Sequence, residues 1–198
     1  MADQRMSRVK ESVEALAAFR RLTDTEAEKL IAQGGLADEP VVWTVTRTRN
    51  GRPTEIRTKV RVDNPSSERV FIGGRIILER PWESHWVVVW GDRRHHEDPE
   101  SVRRLDLRDD HTNPDGEVWD RRTHKHLWSA EMNNRVAYTP DDIPHDPAVP
   151  PVSPDDYRAI FEAFAAEVHV ELGPEYEWSD PPIEEYFDAA ETTMWEVP

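Results

Sequence analysis

At 198 residues the chain is long enough for one domain with extensions, and its 37% hydrophobic content, eight tryptophans and 33% charged residues describe a modest core inside a strongly solvated shell. The absence of cysteine excludes disulfides, thiolate metal sites and thiol catalysis; no stretch approaches the ~18 apolar residues of a membrane span, and MADQRMSRVKESVEALAAFRRL lacks an apolar signal core, so the expected setting is cytoplasmic, without a membrane. The net charge of −15 is uneven, because residues 139–198 hold one basic and sixteen acidic side chains while 39–138 are near neutral and arginine-rich, which leaves room for a basic patch that meets nucleic acid.

Val9, Val13, Leu16 and Phe19 recur at helical spacing over 7–20. A second helix begins at TDTEAEKLIAQGG, with Thr23 and Glu26 as a capping box and Gly34-Gly35 as its stop. The period then changes. VVWTVTRTR (41–49) and TEIRTKVRV (54–62) alternate around Asn50-Gly51, a hairpin signal. After the turn Asp63–Ser66, strands are predicted over 69–80, with a bulge or bend at Gly73-Gly74, over 85–94 and over 102–109. HTNPDGE reads as a turn, followed by strands at 123–130 and 135–140. Trp82, Trp86, Trp90 and Trp128 read as packing residues. Residues 141–154 are proline-rich and extended. SPDDYRAIFEAFAAEVHVEL carries an apolar stripe (Tyr157, Ile160, Phe161, Phe164, Val168) expected to dock on the sheet, with Ser153 as N-cap. The division is therefore N-terminal helices at 1–38, an antiparallel β core at 39–140, a linker at 141–154, a helix at 155–173 and an acidic tail at 174–198. The fold class is α+β, with a curved antiparallel sheet of five to seven strands and one C-terminal helix packed on it.

The chemistry concentrates in RLDLRDDHTNPDGEVWDRRTHKH, residues 104–126, which hold three of the eight histidines. His124 and His126 lie two apart on a strand and share a face, as do Arg104 and Asp106. His111 lies opposite them if the flanking strands pair. One chemistry for this set is metal-free phosphodiester cleavage of RNA. Here His124 and His126, with His111 and Asp106, move protons; Arg104, Arg121, Arg122 and Lys125 hold phosphate; and Tyr138 is a supporting donor. No cofactor is then needed. The alternative is a divalent transition metal on His111, His124, His126 and Glu131. His124, His126 and Glu131 match the first half of the cupin pattern, although Val118 stands where its glycine would be and no second histidine motif follows. A third reading is structural: His111 and Asp115 cap a loop, the histidines sit on a half-solvated sheet face, and His95-His96 belongs to a charged loop. The protein would then be an interaction protein whose acidic segment 139–198 meets a partner or imitates nucleic acid.

The block also resembles a prokaryotic family with a domain of unknown function, through R-L-D-L (Arg104–Leu107), H-T-N-P-D-G (His111–Gly116), H-x-H (His124–His126) and A-Y (Ala137-Tyr138). The resemblance covers roughly residues 22–172 and leaves out the first helix and the tail. The block is similar to that of TumE-type toxin proteins. That likeness implies a toxin–antitoxin or phage-defence setting with an antitoxin partner, and a RelE- or barnase-like α+β ribonuclease fold. It supplies no established catalytic residues.

Overall fold

The computed structural model describes residues 22–90, 100–139 and 154–186. The helix expected over 7–20, His95-His96, the linker 141–154 up to Ser153 and the tail beyond 186 lie outside the described residues, as does the Trp82 side chain. The order is α1 (Asp24–Gln33), β1 (Gly35–Ala37), β2 (Trp43–Arg47), β3 (Pro53–Asn64), β4 (Ser67–Ile77), β5 (Arg80–Trp90), β6 (Glu100–Thr112), β7 (Val118–Ser129), β8 (Asn133–Tyr138), α2 (Pro154–Glu167) and β9 (Val170–Leu172), then a short 3-10 turn at Glu184–Tyr186.

Among the described residues nine strands form one sheet in the order β8-β7-β6-β5-β4-β3-β1-β9, with β2 beside the first half of β3. All pairs are antiparallel except β1 with β9. The α+β class therefore stands, but the strand count exceeds the expected five to seven. The two extra strands, β1 and β9, have three residues each, too short for a period-2 pattern to register. Their pairing also corrects the end of the last helix: it stops at Glu167, and Val170–Leu172 runs parallel to Gly35–Ala37.

Local chemistry explains the element ends. The Thr23 hydroxyl accepts from the Glu26 amide, and the Glu26 carboxylate accepts from the Thr23 amide at 2.9 Å, which satisfies two helix-end donors. Gly34 ends α1 at a φ of 55°; a Cβ there would land on the His169 carbonyl oxygen. Gly73-Gly74 makes no bulge, since β3–β4 and β4–β5 keep register through it. The reason for Gly74 is packing. A Cβ would come within 2.5 Å of the Trp86 ring, which lies flat against that backbone.

One face of the sheet is covered by the helices. Trp86, Leu105, Val60 and Ile72 meet Tyr157, Ile160, Phe161, Phe164 and Val168, all buried, so the α2 stripe docks as expected. Trp86 meets Phe161 edge-on, with centroids 5.7 Å apart. Trp90 and Trp128 pack partly buried against this core. The expected acidic tail begins instead as a docked segment. The Val41 amide donates to Glu177 O, Trp43 Nε1 donates to Ser179 O at 2.7 Å, and Trp178 packs on Trp43 and Phe161. Tyr176 stacks on Phe161, and burial pushes its phenol up to about 12. The other face of the sheet carries the polar site.

Candidate metal centre

Two compensating bulges build the site. In β6, Arg104 pairs with His126 and Asp106 with His124, and the register then shifts before Asp109 meets Arg122. Leu107 and Arg108 together oppose Thr123, and Arg108 takes a left-handed φ of 54°. A second shift lets Asp120 and Arg121 oppose Asp110, with Arg121 at a φ of 46°. Each extra residue reverses the alternation of side chains that follow it. Arg104 and Asp106 therefore share the open face with Asp109 and His111. On β7, Arg122, His124 and His126 share it with Trp119. In a regular strand, His111 would point to the other face.

The same bulges fold the hairpin tip across the open face to the outer edge of β8. Asn113, at the turn, donates to Ala137 O at 3.0 Å and accepts from Ala137 N at 2.7 Å, reaching past β7. The tip buries what lies under it. His124, His126 and Asp106 are 0% exposed, and Trp119 is 3% exposed with its ring 5.5 Å from that of His124.

The three histidines converge. Ring centroids are 4.8 Å apart for His124 and His126, 4.7 Å for His111 and His126, and 5.5 Å for His111 and His124. One ring nitrogen from each lies within 4.8 Å of the other two. Each ring spends its other nitrogen on a backbone carbonyl. His124 Nδ1 donates to Arg122 O at 2.7 Å, His126 Nδ1 to Asn134 O at 2.8 Å, and His111 Nε2 to Arg135 O at 2.9 Å. A carbonyl only accepts, so each of these nitrogens carries the hydrogen. In the neutral rings, His124 Nε2, His126 Nε2 and His111 Nδ1 are left as lone pairs.

Asp106 faces two of them. Its Oδ2 lies 3.0 Å from His126 Nε2 and 3.5 Å from His124 Nε2, while Oδ1 accepts from His85 Nδ1 at 2.9 Å and Arg104 Nε at 2.7 Å. The Arg104 guanidinium also reaches Oδ2. Burial pushes the Asp106 carboxyl up, but donation from the His124 and His126 rings when they carry a second proton, donation from His85 and the charge of Arg104 outweigh it and hold it well below the usual carboxylate range. Burial pushes His126 down; Asp106 opposes this, and the charges of Arg104 and His124 reinforce it. Asp109 closes the outer side, with Oδ2 3.5 Å from His85 Nε2, so His85, Asp106 and Asp109 form a second group of ligand type.

The expected site residues divide. Arg104, Asp106, His111, His124 and His126 come together. Arg122 is exposed and lies over the Trp119 ring at 4.9 Å; Arg121 is exposed at the second bulge. Lys125 pairs with Leu105 on one side and Tyr138 on the other, on the helix-covered face, where Lys125 Nζ is 3.4 Å from Glu167 and Tyr138 meets Arg103 at 3.4 Å. They do not share the histidine patch. Glu131 sits exposed in the β7–β8 turn, outside both ligand groups; the carboxylate at the histidines is that of Asp106. HTNPDG is a turn only from Asn113 onward, since His111 and Thr112 belong to β6. The sequence reading missed His85, Asp109, Trp119 and Asn113. For His85 a signal existed: it is the polar residue in the alternation of HWVVVW.

Residues 92–170 match a family of unknown function, DUF6978. That span carries β6, β7, β8 and α2, and so His111, His124, His126 and Asp106; it excludes His85. The resemblance to an uncharacterised domain family is supported at that level. No curated protein and no solved structure matches the chain.

Proposed function

We propose that the protein binds a divalent transition metal through His111 Nδ1, His124 Nε2, His126 Nε2 and Asp106 Oδ2, and uses it for hydrolytic chemistry. One observation carries this reading: two imidazole lone pairs and a carboxylate oxygen aim at the same buried spot. Acceptors 3.0–3.5 Å apart repel unless a cation lies between them. Two ligands of one tetrahedral ion, each at about 2.1 Å, stand roughly 3.4 Å apart, which the two separations bracket. His124 Nε2 is buried without a hydrogen-bond partner, as a ligand awaiting an ion would be. The backbone carbonyls behind the three rings are the outer support that fixes tautomer and raises basicity. Three imidazoles and a carboxylate suit zinc, iron, nickel or manganese rather than calcium. His111 is half-buried and marks the side from which water reaches the ion, which would lower the pKa of that water and supply a nucleophile at neutral pH.

The second reading is metal-free RNA cleavage by the same histidines in a TumE-like toxin. The cationic groove beside Arg104, described below, favours it. The complete burial of His124 and His126 weighs toward the metal, because a proton-transfer group must reach the substrate.

Elemental analysis of the purified full chain decides between them. About one zinc, iron, nickel or manganese per chain is expected. His111→Ala, at a half-buried position, should keep the fold and weaken the metal by more than the ~10–100-fold that loss of an outer partner costs. A metal-free chain that binds none of these ions on titration sends the reading back to the ribonuclease.

A further inference from the structure

The open face continues from Asp106 into a groove of about 710 Å³ across β3, β4 and β5. Among the described residues its lining contains Arg57, Lys59, Arg75, Arg104 and His85, with Val42, Val87 and Val89 as apolar wall, and no Asp, Glu, Phe, Tyr or Trp. In a chain of net charge −15, four lining cations that outnumber the carboxylates paired to them, Glu55, Asp106 and Asp109, are a selective feature. We propose that this groove binds a compact organic phosphate, its phosphate on Arg57 and Arg75 and its apolar part on the valines.

The register places the cations. Arg57 pairs with Arg75, Arg75 with His85, and His85 with Asp106, so they form one row across four strands that ends at the histidines. Adjacent strands stand ~4.8 Å apart, so the row is roughly 14 Å long. Arginine forks match phosphate oxygens. Glu55 holds both side chains from one side, 2.6 Å from Arg57 and 3.7 Å from Arg75, yet they stay 48% and 40% exposed. Their remaining N–H groups are open to a ligand. Gly73 keeps the floor clear between Lys59 and Val87. The volume falls among small-molecule sites, which run ~300–1,000 Å³. A single-stranded polynucleotide would use aromatic platforms; the described lining has none, and the neighbouring Phe71 ring is covered by Lys59 at 3.6 Å. That the phosphate ester is the substrate rests on the metal centre proposed above; that it binds does not.

The test is calorimetric titration of the full chain, at low salt, with adenosine 5′-monophosphate, adenosine and a ten-nucleotide single-stranded RNA, with metal content measured on the same samples. The monophosphate should bind and adenosine should not. Arg75→Gln and Arg57→Gln should each weaken binding on the order of ten-fold or more, with metal content unchanged. Arg158→Gln, on α2, should change nothing. No binding of the monophosphate, equal binding by Arg75→Gln, or binding of the RNA alone overturns the proposal. Metal without phosphate binding defeats the groove and spares the centre; phosphate binding by a chain that takes no metal does the reverse.

Discussion

The strands that hold the histidines send charge to both faces of the sheet, and the two faces resolve it differently. On the helix-covered face, Lys125 and Arg103 both meet Glu167 of α2, at 3.4 and 3.5 Å. Opposite charges pair there, and the result joins a helix to the sheet. On the open face, one residue away along each strand, Asp106 is ringed by Arg104, His85, His124 and His126. Some of those neighbours are donors, but two are lone pairs in the neutral rings. The first arrangement sets cations against a carboxylate, although Arg103 Nε and Glu167 Oε2 are buried without hydrogen-bond partners. The second sets acceptors against an acceptor, which the proposed metal ion would reconcile. Neither burial of charge nor an unpartnered atom by itself separates the two faces; what differs is that acceptors face an acceptor on the open face, while unlike charges face each other under the helix.

The largest contrast comes from Asp106→Asn. Removing the buried anion leaves the part-exposed Arg104 with only Asp109, 3.9 Å away, and should cost about 3 kcal/mol, read by denaturant unfolding, together with loss of metal binding. Lys125→Met on the other face should cost about 1–2 kcal/mol, because Arg103 still partners Glu167, and should leave metal content untouched. If the two variants lose metal alike, the faces are not distinct.

Acid should attack the open face in two steps. The folded pKa of His126 lies below its ordinary 6.5, so the unfolded chain binds its proton more readily. The stability His126 contributes is present above 6.5 and is lost as pH falls toward the lowered value. The folded pKa of Asp106 lies below its ordinary 3.8, so its contribution is lost only beneath that value. Melting temperature should therefore fall below about pH 6.5 and again below about pH 3.8. Bound metal should steepen the first fall, since protons compete with it; a first step identical with and without chelator would count against the ion. The second step should vanish in Asp106→Asn and persist in Lys125→Met. The smallest effect is expected for Tyr138→Phe, which removes one 3.4 Å contact with Arg103: less than ~1 kcal/mol and no change in metal or phosphate binding. A large loss of either would return Tyr138 to the site.

Much of this architecture was legible locally. The seven longer strands, the Thr23–Glu26 box and the apolar stripe of α2 follow from side-chain period and end chemistry, which are properties of neighbouring residues. The H-x-H spacing put His124 and His126 on one face, and the same alternation already excluded Lys125, which lies between them. What only the tertiary structure decided depends on pairing. The bulges at Arg108 and Arg121 turn His111 and Trp119 onto the histidine face, and a bulge is set by two strands together. His85 reaches Asp106 because β5 pairs with β6 in one register among several, and the three-residue β1 and β9 are strands through their pairing, β1 with β3 and β9 and β9 with β1. Period and capping act over three or four residues and are written in the chain; register and parity are set by the hydrogen bonds of distant strands, and one residue of slip moves every later side chain to the opposite face.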